Sequence, residues 1–196
     1  MNKKDYHSLL QDRTVLVTGG TGSIGSQLVQ EILKYHPRAV RVYSRDETKQ
    51  LDLCLKLGEP SNLRSLVGDV RDAPRLGMAL EGVDIVFHTA ALKHVAACEY
   101  NPFEAVKTNV IGTQNLIDMS IAKGVKLVMG ISTDKVVNPS NVLGTTKLMA
   151  EKLLVAANLI TGKEYPRFSC VRFGNVAGAR GSVIPIFLEQ LRRGGP

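Results

Sequence analysis

Four consecutive residues, Ser132-Thr133-Asp134-Lys135, set two hydroxyls, a carboxylate and an ammonium side by side, and Lys147 follows downstream. A carboxylate–ammonium pair can move protons, because each group shifts the other's pKa and burial shifts both. The same residues also suit a helix cap with a surface ion pair. Near the start, Thr18-Gly19-Gly20-Thr21-Gly22-Ser23-Ile24-Gly25 spaces its glycines as G-x-x-G-x-x-G. In such a turn Gly19 permits the tight bend, Gly22 lets backbone approach a pyrophosphate, and Gly25 lets helix pack on strand. The N–H groups and dipole of the helix that follows favour an anion there, so a dinucleotide cofactor is expected, with Thr21, Ser23 and Ile24 completing the contacts.

Three further stretches belong with that turn. Ser44-Arg45-Asp46 ends a strand candidate where an acidic side chain would accept from a ribose 2′-OH and an arginine would pair with a 2′-phosphate. Ser44 and Arg45 come first, which favours NADP; Asp46 either caps the next helix or turns inward, which keeps NAD open. Asp69 of Gly68-Asp69-Val70 is placed to accept from an adenine amino group or to serve as a turn residue. Ala90 and Ala91, after a fourth strand candidate, let backbone lie against the cofactor.

These residues need a scaffold that brings them together. Strand candidates Val15–Val17, Val40–Tyr43, Leu63–Val67, Ile85–Phe87, Leu127–Met129 and Ser169–Val171 alternate with helix candidates such as Ile24–Tyr35, Pro102–Ala122 and Thr145–Leu159. Alternation of this kind predicts an α/β fold: a doubly wound parallel sheet of Rossmann type, helices on both faces, strand order 3-2-1-4-5-6. The 196 residues suit one dinucleotide-binding domain. After a helix candidate at Ile184–Arg193, Gly194-Gly195-Pro196 reads as a turn leading onward, so a C-terminal substrate domain is expected to be mostly absent.

Composition narrows the class. A net charge of +7 suits anionic partners or a solvated basic surface. No RNA-binding or zinc-finger signature appears, so nucleic acid is not expected. Cys54, Cys98 and Cys170 form no C-x-x-C pair, so neither a disulfide framework nor a metal site is expected. No apolar run approaches the roughly 20 residues that cross a bilayer, and no signal segment follows the basic start; a cytoplasmic protein is expected.

Seven stretches together resemble the extended short-chain dehydrogenase/reductase family, in particular the polysaccharide-biosynthesis UDP-N-acetylglucosamine 4,6-dehydratases. They are TGGTGSIGSQL from Thr18, YSRDE from Tyr43, GDVRD from Gly68, HTAALKHV from His88, TNVIGT from Thr108, STDKVVNP from Ser132 and RFGNVAGARGSVIP from Arg172. The resemblance implies an enzyme, a lyase that oxidises the sugar at C4, eliminates water across C5 and C6, and returns the stored hydride to C6. It implies Asp134 as the acid at the C6 hydroxyl, Lys135 as the base at C5, and Thr133 as the hydrogen-bond partner of the C4 oxygen. Lys147 would hold the nicotinamide ribose, and Asn109 would organise backbone at the site. Lys93 counts as a contact to both cofactor and sugar, beside His94. Asn175, Arg180 and Ser182 resemble the segment that meets the UDP moiety, where a guanidinium suits diphosphate.

The chain departs from the family at one catalytic position. The family's Y-x-x-x-K pair reads Leu143-Gly144-Thr145-Thr146-Lys147. Leucine cannot move a proton. A branch of these dehydratases that carries methionine there is still active, with Thr133 and Asp134 equivalents relaying the proton. Two other readings stay open: a UDP-sugar 4-epimerase, and a dinucleotide-binding module without catalysis. The long helices after the fourth and fifth strands are expected to form a homo-oligomer by bundling.

Overall fold

The computed structural model of the chain describes residues 3–162, 165–177 and 183–195. Six strands, β1 (Thr14–Thr18), β2 (Ala39–Ser44), β3 (Leu63–Val67), β4 (Ile85–His88), β5 (Leu127–Ile131) and β6 (Arg167–Val171), form one sheet in the order β3-β2-β1-β4-β5-β6. All five pairings are parallel. The topology is the one the alternation predicts.

The helices are α1 (Lys3–Leu10), α2 (Ser23–Leu33), α3 (Glu47–Lys56), α4 (Ala73–Ala79), α5 (Val95–Tyr100), α6 (Pro102–Ala105), α7 (Gly112–Ala122), α8 (Val142–Thr161) and α9 (Val183–Arg192). Period-two alternation in the strands sorts the core into two layers. Val15, Val17, Val40 and Val42 pack against Val29 and Ile32 of α2 and Leu53 of α3. Leu16, Val86 and Val128 pack on the other face against Leu76 of α4, Leu116 and Ile117 of α7, and Leu154 of α8.

The single helix expected over Pro102–Ala122 is interrupted. Val106–Ile111 winds as a π-helix between α6 and α7. This wider turn, rare and frequent at functional sites, carries the buried residues Thr108 and Asn109. Helix α8 begins at Val142, earlier than the hydrophobic period suggests, because the Asn141 side chain accepts from Gly144 N–H and caps it. The sheet order reverses between β1 and β4, and ligands in such sheets bind at the carboxyl ends of the strands, beside that crevice.

Candidate active site

A cleft of about 820 Å³ opens at this edge. Its first wall is the glycine turn. Gly19 has φ +65°, a conformation side chains rarely adopt. A Cβ on Gly25 would fall 2.4 Å from Gly19 O and 2.7 Å from Gly20 Cα, both backbone, so helix α2 can approach the strand only with glycine there. Helix α2 opens on Gly22, which brings no side-chain cap to the helix N-terminus. Together they leave a shallow, N–H-rich bend that fits a pyrophosphate.

The second wall is the end of β2 and β3. Ser44, Arg45, Asp46, Lys49 and Asp69 all line the cleft. Asp46 is the N-cap of α3, accepting from Lys49 N–H at 3.0 Å, and the Lys49 ammonium also pairs with it. Those bonds hold its carboxyl below the usual range. Burial works against the Asp69 charge, but Arg71 outweighs it through its guanidinium at 2.7 Å and its N–H at 2.9 Å. Arg45 stands 3.9 Å from Asp69 and is largely exposed.

A buried polar chain ties this half to the other. His88, at the end of β4, is 1% exposed and lies 2.7 Å from Thr18 Oγ1 and 3.2 Å from Thr113 Oγ1. Thr113 Oγ1 donates to Asn109 O at 2.7 Å, so it must accept from His88 Nε2–H, and His88 Nδ1 accepts from Thr18. Burial, with Lys147 nearby, drives the His88 pKa down to about 3, and the ring is neutral. Asn109 in turn holds both sides of Leu92, accepting from its N–H at 2.9 Å and donating to its carbonyl at 3.1 Å; it also donates to Thr146 Oγ1 of α8 at 3.0 Å. The π-helix thus fixes the loop that carries Lys93 and His94.

The third wall holds the reactive groups. Thr133 Oγ1 donates to Asp134 Oδ1 at 2.8 Å, and Lys135 Nζ donates to the same oxygen at 3.1 Å and to Asn175 Oδ1 at 3.3 Å. The Thr133 bond first, then Lys135, holds the Asp134 carboxyl below its ordinary range. Lys147 reaches from α8 under the sheet edge and donates to Ile131 O at 2.7 Å. It is 8% exposed, and burial lowers its pKa to about 8, although Cys170 and Glu151 pull the other way. Leu143, one turn before it, lines the cleft and packs with Cys98 and Ala105.

The structure gathers most of the predicted residues. Gly19, Thr21, Gly22, Ser23, Ile24, Gly25, Ser44, Arg45, Asp69, Val70, Ala90, Ala91, Lys93, His94, Thr133, Lys135, Lys147 and Asn175 line one cleft. Asn109 stands behind the wall and acts through Leu92 and Thr146, while Asp134 is exposed at the cleft's edge, bonded to Thr133 and Lys135. Arg180 and Ser182 lie outside the described residues. Among the cleft residues to which the sequence reading gave no role are Lys49, Tyr43 and Phe173. Lys49 had a signal, one turn beyond a candidate cap. Also unforeseen is Glu151, 7% exposed and gripped by Arg172 through bonds of 2.6 to 3.1 Å. Burial opposes the Glu151 charge; Arg172 outweighs it, and its carboxyl stays low.

Comparison with known proteins agrees with this geometry. Residues 15–196 match the family described as "Polysaccharide biosynthesis protein". An uncharacterized membrane protein of Methanocaldococcus jannaschii is 54% identical over 98% of this chain and 58% of its own length. A UDP-N-acetylglucosamine 4,6-dehydratase (inverting) of Campylobacter jejuni is 46% identical over 95% of this chain and 56% of its own. The chain therefore spans little more than half the length of these relatives. Among solved structures, the dTDP-glucose 4,6-dehydratase DesIV of Streptomyces venezuelae, with NAD and TYD bound, superposes with a TM-score of 0.80 at 26% identity, over 93% of this chain and 63% of that one. Among the described residues no helix is long and apolar enough to cross a membrane.

Proposed function

The chain belongs to the polysaccharide biosynthesis protein family, and from that premise we propose that it is the dinucleotide-binding and catalytic part of a UDP-N-acetylglucosamine 4,6-dehydratase. One observation carries the reading: the hydrogen-bonded Thr133–Asp134–Lys135 group stands at the same cleft as the glycine turn. The chemistry supplied by a bound nicotinamide dinucleotide is acceptance of hydride from sugar C4 and its return at C6.

The residues divide the proton work. With Leu143 unable to take a proton, Thr133 accepts the C4 hydroxyl proton and passes its own along the 2.8 Å bond to Asp134. Asp134, now neutral, gives that proton to the departing C6 hydroxyl, and water leaves. Lys135 is the base at C5, taking that proton and later returning it to the same carbon. Asn175 steers the Lys135 head group. Lys147 places a positive charge at the end of β5, where a ribose would lie. Lys93 and His94 approach the sugar from the loop that Asn109 anchors. Arg180 and Ser182 are assigned to the UDP moiety on resemblance alone.

NADP is the proposed dinucleotide. Asp46, the acceptor a 2′-hydroxyl would want, is committed to α3 and Lys49, while Arg45 is exposed beside it. We place the protein in the cytoplasm as a homo-oligomer, with the exposed Met149, Val155 and Leu159 of α8 toward a second copy.

The test is incubation of the protein with NADP and UDP-N-acetylglucosamine, read by mass spectrometry and NMR. A product lighter by one water, with turnover lowered roughly a hundredfold or more in Asp134→Asn and Lys135→Ala, is expected. Unchanged sugar overturns the proposal, and an epimer that keeps its C6 hydroxyl replaces it with a 4-epimerase.

A further inference from the structure

Helix α3 turns Gln50 and Leu53 inward. Leu53 joins the core, as its position on the helix requires. Gln50, 3% exposed, is a polar group where an apolar one is expected. Its Nε2 lies 2.9 Å from Leu66 O, 3.1 Å from Ser44 O and 2.9 Å from Ser44 Oγ. Two of those partners are carbonyls, which only accept, so the amino end of the amide must face them. An amide nitrogen cannot accept a hydrogen bond. Ser44 Oγ is therefore the acceptor from Gln50, and its own hydrogen points elsewhere. Ser44 closes β2 and lines the cleft with Arg45 and Lys49. Its hydroxyl hydrogen is thereby left available to an acceptor in the cleft, next to two cationic side chains.

We infer that Gln50 is a positioning residue for dinucleotide specificity: from beneath the strands it fixes the Ser44 hydroxyl as a donor toward a 2′-phosphate. A free 2′-hydroxyl gains less from this arrangement, because it is uncharged and the carboxylate at hand, Asp46, is already taken by Lys49. The inference rests on the dinucleotide reading given above, and the parent protein tests that reading first.

The experiment is calorimetric titration of the protein with NADP+ and NAD+, for the parent, Gln50→Leu, Ser44→Ala and the double variant. The parent is expected to prefer NADP+. Each single substitution is expected to lower the NADP+ to NAD+ affinity ratio about tenfold, the effect of one hydrogen bond to a charged group. In the double variant the ratio stays where Ser44→Ala left it, because Gln50 acts through that hydroxyl. Equal weakening of both dinucleotides in Gln50→Leu, or additive losses in the double variant, overturns the inference and leaves the cofactor assignment standing. A parent without preference for NADP+ overturns both. Should Gln50→Leu not fold, Gln50→Met, which keeps the side-chain length and donates nothing, carries the same comparison.

Discussion

The two ends of the cleft are built from different material. The dinucleotide end is made of backbone: a bend at φ +65°, a helix pressed against it, and strands on either side. Its side chains mostly hold structure, as Asp46 caps α3 and Asp69 is engaged by Arg71. The reactive end is made of side chains: Thr133, Asp134, Lys135 and Asn175 bond to one another, and Lys147 is buried behind them. Backbone walls tolerate almost no substitution but respond little to pH. Side-chain walls respond to both, and their charges depend on how water is excluded. His88 stands between the two, hydrogen-bonded to Thr18 below the glycine turn and, through Thr113 and Asn109, linked to helix α8, which carries Lys147.

That position gives the largest expected effect. The folded protein keeps His88 neutral down to about pH 3. An unfolded chain protonates it near pH 6.5, so between these values the unfolded state binds more protons and stability falls as pH falls. The loss reaches about 4 kcal/mol over the whole window, and about 2 kcal/mol between pH 6.5 and 5, before carboxylates take up protons. Urea unfolding across that range measures it. His88→Gln starts less stable and lacks this part of the slope; an unchanged slope would break the link between the two ends.

Lys147 has the same sign in a higher pH window. Its folded pKa of about 8 lies below the unfolded value of 10.5. Between these values the unfolded chain holds the proton and the folded one does not, so stability rises with pH by up to roughly 3 kcal/mol. Affinity for an anionic dinucleotide moves the other way, falling about tenfold from pH 7 to 9.5 as the ammonium is lost. In Lys147→Met both trends vanish. If affinity and stability changed together in the parent, the side chain would not be the charge at the ribose.

Gly25→Ala sharpens the comparison at the backbone end. The added methyl meets Gly19 O at 2.4 Å, whereas on Gly22 it meets the same oxygen at 3.2 Å. The first is expected to cost about 2 kcal/mol by overpacking and to abolish dinucleotide binding; the second costs well under that. Thermal unfolding and titration together measure both, and equal effects would mean that the turn is not set by this contact.

The same division explains what the sequence discloses. The sheet order and glycine turn follow from strand–helix alternation and from spacing, which are local properties. The hydrogen-bonded Thr133–Asp134–Lys135 group is legible because its residues are adjacent. Gln50, Glu151 and His88 are not legible, since each is a polar residue on a core-facing position whose partner comes from a different segment of the chain. Periodicity marks such positions as apolar, and only packing shows why a polar group occupies them. The π-turn that carries Asn109 is likewise invisible, because its register is decided by the bonds that Asn109 makes to Leu92 and Thr146.

The smallest expected effect separates two roles within one residue. Asp46 caps α3 and also puts a negative charge at the 2′ end of the cleft. Asp46→Ala removes both and is expected to cost about 1 kcal/mol of stability for the lost cap. Asp46→Asn keeps the cap, because asparagine accepts from Lys49 N–H as well as aspartate does, and stability stays within a few tenths of a kcal/mol, about the spread among good caps. It also frees the Lys49 ammonium from its ion pair. NADP+ should then bind a few-fold more tightly while NAD+ is unmoved, a gain that shrinks as salt is added. A gain for both dinucleotides would place the carboxylate near the pyrophosphate instead, and shift the boundary between the two ends of the cleft by one residue along β2.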